Sequence, residues 1–348
     1  MNKKILALMM VIAMTVSLCA CGSTAAASGS TEAKADNTVY NLTWAGIGST
    51  DAIDTWIGEE AAARIAKATD NHVMIKVYPA NQLGDLTQAY DEIMAGTIDM
   101  GLFTVYGTHD IINEMNFTCF LTNSLDEFRE VYAKGGFIYD TLEKTQADRG
   151  VKLVGFWPSG YLGLGFTKLA EDESTLFDCT AKKKELLRVP GMDTMLASAK
   201  AMGFNTTTIN YSDVYTALQT GVCDGSWNGG AYANYQSFRD VLKYYVDYRV
   251  CNDVYSLVMN NEKFNSLPAE YQKIVSSTLE EVLEEGVTKI GEQEAQSLKD
   301  MEAYGIKVIV PTDAQRAEMK AYFVENVWPG FAQYYGQDVI DQLIALAK

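Results

Sequence analysis

From Pro268 to Tyr304 the chain runs without an interior proline, and only Gly286 and Gly291 interrupt a composition suited to a helix. At 1.5 Å per residue such a helix is ~50 Å long, well beyond the width of one small domain. A rod of that length needs partners along its whole extent, so the fold must supply two bodies for it to cross. The rest of the chain supplies units of a suitable kind. Tyr40 to Ala45 reads as a strand, followed by a polar loop Gly46-Ile47-Gly48-Ser49-Thr50. A helix then carries Ile53, Trp56, Ile57, Ala61, Ile65 and Ala66 on one face. Val73, Ile75 and Val77 alternate as a strand. Leu86, Ala89, Tyr90, Ile93 and Met94 mark a helix stopped by Gly96, and Asp99 to Val105 is an apolar run fit for a buried parallel strand. The pattern recurs downstream. Strands are expected at Val151 to Trp157, at Leu187-Arg188-Val189, at Thr206 to Asn210 and at Tyr244 to Val250. Helices are expected from Met192 to Met202 and from a Ser212 cap to Thr220, closed by Gly203 and Gly221. Alternating strands and helices give an α/β fold of two lobes bridged by the long helix.

The N-terminus carries a different signal. Lys3 and Lys4 precede the apolar run Ile5 to Val16, too short and too early for an ordinary membrane span and suited to an export signal. Leu18-Cys19-Ala20-Cys21 follows, an arrangement resembling a bacterial lipobox, in which cleavage leaves Cys21 lipidated. Residues 1–20 are then a lipoprotein signal peptide, against the alternative of plain secretion with Cys21 a bystander. The Ala/Ser/Thr/Gly-rich stretch 21–37 has no apolar periodicity and reads as a flexible tether. An extracytoplasmic body held at the membrane by its lipid anchor is the expected location.

Charge and residue chemistry narrow the function. Lys+Arg 28 against Asp+Glu 45 gives a net charge of −17. That argues against nucleic acid or anionic lipid as partners. Cys119, Cys179, Cys223 and Cys251 are widely spaced without a CxxC pair; buried thiols and one or two disulfides both stay open, buried thiols being preferred. The two histidines, His72 and His109, stand in no metal-ligand spacing, and neither a nucleophile elbow nor a phosphate loop is present. No enzyme activity, metal or cofactor is expected. What stands out is Arg188 at the end of a strand, in Leu187-Arg188-Val189-Pro190-Gly191. Ligands of open α/β sheets bind beyond the carboxyl ends of strands, where an arginine can hold a carboxylate through two parallel N–H bonds. The alternative is a surface ion pair.

The segments around Arg188 tip this balance. Arg188-Val189-Pro190-Gly191 is followed by Ala199, Met202 and Gly203, by Tyr211-Ser212-Asp213-Val214-Tyr215-Thr216-Ala217-Leu218-Gln219-Thr220-Gly221, and by Asp224-Gly225. Upstream stand Tyr78-Pro79, Gln82-Leu83-Gly84 and Gly96-Thr97-Ile98-Asp99-Met100; downstream stand Asn260, Leu267-Pro268 and Gln272-Lys273-Ile274-Val275. In this order and spacing the set resembles the solute receptors of tripartite ATP-independent periplasmic (TRAP) transporters, the dicarboxylate-receptor-like family. The resemblance implies a periplasmic-binding-protein type II-like fold with discontinuous lobes. The first lobe would hold 38–165 and 254–293, the second 166–253 and 294–348. It also implies a small organic acid as ligand and a TRAP membrane permease as partner. Arg188 would bind the ligand carboxylate and Asn228 would line the same site. Tyr211, Thr104, Gly48, Trp157 and Trp227 fall near matched positions, Trp157 and Tyr211 having a place in the core as the alternative. Two departures bear on the ligand. A second arginine common in relatives is replaced by leucine within Gly160-Tyr161-Leu162-Gly163-Leu164-Gly165-Phe166-Thr167, and Ser226-Trp227-Asn228-Gly229 replaces a Gln-Glu-Asn-Pro. A monocarboxylate with an aromatic or branched apolar body is therefore expected. The competing reading is the binding lipoprotein of an ATP-driven (ABC) importer, which shares the composition and anchor but not the ordered segments.

Overall fold

The computed structural model describes residues 38–169 and 173–347. The export segment, Cys21 and the tether lie outside them. Eleven strands among the described residues form two sheets. The first contains β1 (Tyr40–Gly46), β2 (Val73–Tyr78), β3 (Met100–Phe103), β4 (Val151–Tyr161) and β10 (Asn252–Asn260), in the order β2-β1-β3-β10-β4. The second contains β5 (Leu164–Phe166), β6 (Leu186–Val189), β7 (Asn205–Thr208), β8 (Gly225–Trp227), β9 (Tyr244–Val246) and β11 (Lys307–Ile309), in the order β11-β9-β5-β8-β6-β7. β1, β2 and β3 are parallel, whereas β10 runs antiparallel between β3 and β4. β6 is parallel to both β7 and β8. These sheets are the centres of the two lobes.

Several motif residues turn out to set this frame. Gly96 closes the Leu86–Ala95 helix in the left-handed region at φ 78°, and Asp99 then accepts the Thr43 amide at 2.7 Å, tying the start of β3 to β1. Asn260 donates to Ile93 O at 2.9 Å and accepts the Lys263 amide at 2.9 Å, ending β10 and opening the next helix. Asp224 accepts the Leu186 amide at 2.9 Å and pairs with Lys168 at 2.9 Å, which sets β8 beside β6.

Some elements are shorter than their sequence suggests, each for a visible reason. The strand expected from Tyr244 to Val250 ends at Val246, because Tyr248 N folds back onto Val246 O at 2.8 Å and Arg249 takes a positive φ of 50°. Ser212 caps no helix: Tyr211–Asp213 forms one 3-10 turn, and the Val214–Thr220 helix starts without a side-chain cap. Between Val105 and Val151 the sequence pattern yields no element, yet the structure places a 3-10 helix Ile111–Phe117 and helices Leu125–Val131 and Phe137–Ala147 there. The four cysteines of the body are buried free thiols.

The chain passes between the sheets from β4 to β5 and from β9 to β10, and these two crossings lie side by side. Leu162 N donates to Cys251 O at 2.8 Å, and Val250 N donates to Leu162 O at 3.0 Å. Just before the crossing the β4/β10 ladder is irregular. Asn252 pairs with Tyr161 and Val254 with Pro158, so Asp253 alone faces both Ser159 and Gly160. A bulge of this kind bends a strand and re-aims side chains.

The long helix, Ala269–Tyr304, spans 36 residues and ends at Gly305 in the left-handed region. It packs on the Ile53–Ala68 helix and β4 of the first lobe and on the Ala231–Phe238 helix and β11 of the second. Gly286 allows the closest approach: a Cβ there would stand 2.6 Å from Ile57 Cδ1 and 2.9 Å from Trp157 Nε1. Towards its far end Glu294 accepts the amides of Ala231 and Tyr232 at 3.0 and 2.8 Å, capping the Ala231–Phe238 helix from outside. The C-terminal helices touch both lobes. Phe323 packs edge-on against Phe120 at 4.9 Å, Trp328 Nε1 donates to Cys119 O at 3.1 Å, and Arg316 donates to Tyr248 O at 2.9 Å.

Candidate functional site

The carboxyl ends of three parallel strands converge on Arg188. The residue itself lies on β6, opposite Thr207 of β7 and Ser226 of β8. Its side chain is only 3 % exposed. Nε donates to Ile209 O, just past β7, at 2.8 Å, and Nη1 donates to Trp227 O at 3.1 Å and to Asn228 Oδ1 at 3.0 Å, just past β8. Three fixed acceptors therefore orient the guanidinium through Nε and Nη1. Among the described residues no carboxylate lies within ion-pair range of it, and Nη2 donates to no protein atom. Burial pulls its pKa down to about 10, so the group stays cationic at neutral pH. A buried cation without a counter-charge costs several kcal/mol on the order expected for such groups, and an anion docked on Nη2 offsets that cost. The surface ion pair weighed from the sequence is not what the structure contains.

Asn228 is 6 % exposed and is held by Ser226, whose Oγ donates to Asn228 Oδ1 at 2.8 Å. With Oδ1 accepting twice, Nδ2 points away, and it is buried without a partner. Trp227 and Trp157 are buried to 0 % and 2 % exposure, and both indole N–H groups also lack partners. Trp157 stands edge-on to Tyr255 with ring centres 5.4 Å apart, against the long helix at Gly286. Tyr211 is 56 % exposed, and its ring meets Phe238 edge-on at 6.0 Å. It is not a core residue, and its hydroxyl feels the charge of Arg188.

Thr104 and Gly48 lie on the first lobe. Thr104 Oγ1 reaches Asp253 Oδ1 at 3.4 Å, so its hydroxyl serves a carboxylate of the protein. The Gly48 amide donates to Asp54 Oδ2 at 2.9 Å, and a Cβ there would stand 2.1 Å from Asp54 Oδ1. Only glycine lets the loop close over that carboxylate.

The structure adds residues that the sequence did not single out. Asp253, at the β4/β10 bulge, accepts Ser159 Oγ at 2.8 Å, and burial lifts its carboxyl to about 6. Its Oδ2 lies 3.8 Å from where a Cβ of Gly229 would stand, next to Asn228. Burial pushes Tyr106 up to about 12; the charges of Asp253 and Arg188 both reach its hydroxyl, with opposite effects. Burial pushes Tyr255 up, and the charges of Asp253 and Asp54 act in the same direction. Nothing local marks these residues in the sequence, since one aspartate among many acquires its place only through the pairing of β4 with β10. Among the described residues no cluster of side chains is suited to a metal ion, and no helix is long and apolar enough to cross a membrane.

Comparison with known proteins gives a consistent result. Residues 57–333 match the model of the DctP family, the bacterial extracellular solute-binding proteins of family 7. The 2,3-diketo-L-gulonate-binding periplasmic protein YiaO of Escherichia coli is 22% identical over 278 residues, covering 76% of this chain and 81% of its own. Two crystal structures of TRAP periplasmic solute-binding proteins superpose on the fold. One, from Desulfovibrio salexigens with bound orotic acid, has a TM-score of 0.77 at 23% identity, covering 89% of this chain and 100% of that one. The other, from Haemophilus influenzae with bound L-gulonate, has a TM-score of 0.77 at 23% identity, with the same coverage of 89% and 100%.

Proposed function

Because the chain belongs to family 7 of the bacterial extracellular solute-binding proteins, we propose that it is the receptor of a TRAP transporter that captures a small monocarboxylate between its lobes. The observation that carries this reading is Arg188: a buried guanidinium, oriented through Nε and Nη1 by three protein acceptors and without a counter-ion. Nη2, the one guanidinium nitrogen that donates to no protein atom, offers charge-assisted N–H bonds to a carboxylate. Asn228 Nδ2, buried without a partner, supplies a further donor beside it. Trp227, next to Asn228, supports an apolar portion of the ligand, and its indole N–H has no partner in the protein. A second carboxylate finds no second arginine, since the position carries the buried Leu162 and Leu164 instead. Dicarboxylates therefore bind weakly.

Binding at a site shared by two lobes favours whichever arrangement makes more contacts to the ligand, so the ligand shifts the protein toward closure by its differential affinity. The closed receptor docks on the membrane permease. Cys21 carries a lipid that keeps the receptor at the outer face of the membrane; Cys21→Ala would release the protein into the soluble extracytoplasmic fraction.

Thermal unfolding against a panel of monocarboxylates, dicarboxylates, sugars and amino acids tests the central claim. A ligand at a hundred times its Kd adds about 2.7 kcal/mol of stability. A monocarboxylate shift that disappears in Arg188→Ala supports the assignment. A shift given only by sugars, or one that Arg188→Ala leaves intact, removes it.

A further inference from the structure

Asp253 is a second charged pole on the other side of the Asn228-Gly229 turn, and no cation among the described residues answers it. Its carboxylate takes Ser159 Oγ at 2.8 Å and the distant Thr104 Oγ1 at 3.4 Å, and among the described residues it forms no ion pair. Two oxygens with about four acceptor positions are thus only partly used. The bulge that sets Asp253 against Ser159 and Gly160 also presents it to the Asn228-Gly229 turn, with Oδ2 3.8 Å from where a Gly229 Cβ would stand. Asn228 in turn holds Arg188 at 3.0 Å. Anion and cation therefore flank one turn without touching each other.

Further groups share this space. The charges of Asp253 and Arg188 both act on the hydroxyls of Tyr106 and Tyr211. Tyr255 feels Asp253 and Asp54. Asp54, buried and bonded to the Gly48 amide, also acts on Asp253 as a like charge. No lysine or arginine among the described residues pairs with either aspartate. Two carboxylates without a counter-charge are relieved by a cation, whereas a hydroxyl group offers only a hydrogen bond.

We propose that the ligand is a zwitterion, whose carboxylate docks on Arg188 and whose protonated nitrogen docks on Asp253 across the Asn228-Gly229 turn. This rests on the monocarboxylate reading of Arg188 and deepens it. The body of the ligand then carries an ammonium group in place of a purely apolar end, and Asp253 selects for it.

The test is calorimetric titration of wild type, Arg188→Ala, Asp253→Asn and Ser159→Ala with paired acids. Leucine, phenylalanine and γ-aminobutyrate are each compared with the acid lacking the amine: isocaproate, hydrocinnamate and butyrate. Leucic acid replaces the ammonium of leucine by hydroxyl. The expected result is that at least one zwitterion binds tenfold or more tightly than its amine-free partner and its hydroxy analogue. Asp253→Asn, close to wild type in shape, then narrows that gap to threefold or less while both acids still bind. Ser159→Ala, which removes the hydrogen bond that favours the charged form of Asp253, narrows the gap in the same direction. Arg188→Ala abolishes binding of every acid. Equal or tighter binding of the amine-free or hydroxy acids, a gap unchanged in Asp253→Asn, or no binding of any zwitterion in the panel overturns the proposal. Of these, the first two leave the Arg188 reading standing. Acid binding that persists in Arg188→Ala instead removes the underlying reading.

Discussion

Arg188 Nη1 and Asn228 Oδ1 are joined at 3.0 Å, and the same oxygen accepts Ser226 Oγ at 2.8 Å. The asparagine is thus a strut: it fixes the guanidinium from β8 and is itself fixed by a hydroxyl on the strand. Truncating it frees one edge of Arg188 and leaves Nη1 with only Trp227 O.

Asn228→Ala should therefore weaken acid binding by about tenfold or more, on the order of 1.5–3 kcal/mol for a lost hydrogen bond to a charged group. Stability without ligand should change less. Calorimetric titration alongside urea unfolding separates the two effects.

At Gly286 the long helix meets Ile57 and Trp157 with no room for a side chain. Gly286→Ala improves helix propensity but overpacks this contact, and the overpacking wins because the neighbours are a core isoleucine and a buried indole. A net loss of about 1–3 kcal/mol is expected. Denaturant unfolding, with Trp157 contributing to the fluorescence, measures it.

Glu294 gives a pH dependence whose sign can be worked out. Burial outweighs the two amide bonds it accepts and lifts its carboxyl to about 7 from an ordinary 4.5. The folded state thus binds the proton more tightly than the unfolded chain does. Its contribution is full below about 4.5 and is lost as pH rises through 7, on the order of 3 kcal/mol at most. Glu294→Gln keeps one oxygen for the helix amides and cannot ionise. The slope of stability against pH between 5 and 8 should flatten in the variant, as read from unfolding curves across that range.

Asp224 links the two strands that carry the site, through the Leu186 amide at 2.9 Å. Asp224→Ala leaves that amide without its acceptor and removes the Lys168 pair. A loss of about 1–3 kcal/mol in stability should be accompanied by weaker acid binding, because Arg188 and Asn228 sit on the two strands it joins. Measuring both in one variant tests whether the motif Asp-Gly acts through strand register.

The sequence by itself determined the frame and one pole of the site. The helix from Pro268 to Tyr304 was legible because helical continuity is local: no interior proline, and a glycine at the end. Arg188 was legible for a similar reason, as a charged residue on an apolar strand running into Pro190-Gly191, in segments resembling a known family. What the tertiary structure alone decided is the other pole. β10 lies between β3 and β4 although they are distant in sequence, and the bulge in β4 sets Asp253 against Ser159 and near Gly229. No spacing within Asn252-Asp253-Val254 encodes that placement. It follows from the register between strands about ninety residues apart, which is set by the packing of whole sheets rather than by any local pattern. The same holds for Glu294, whose partners at Ala231 and Tyr232 are brought to it only when the long helix crosses the second lobe.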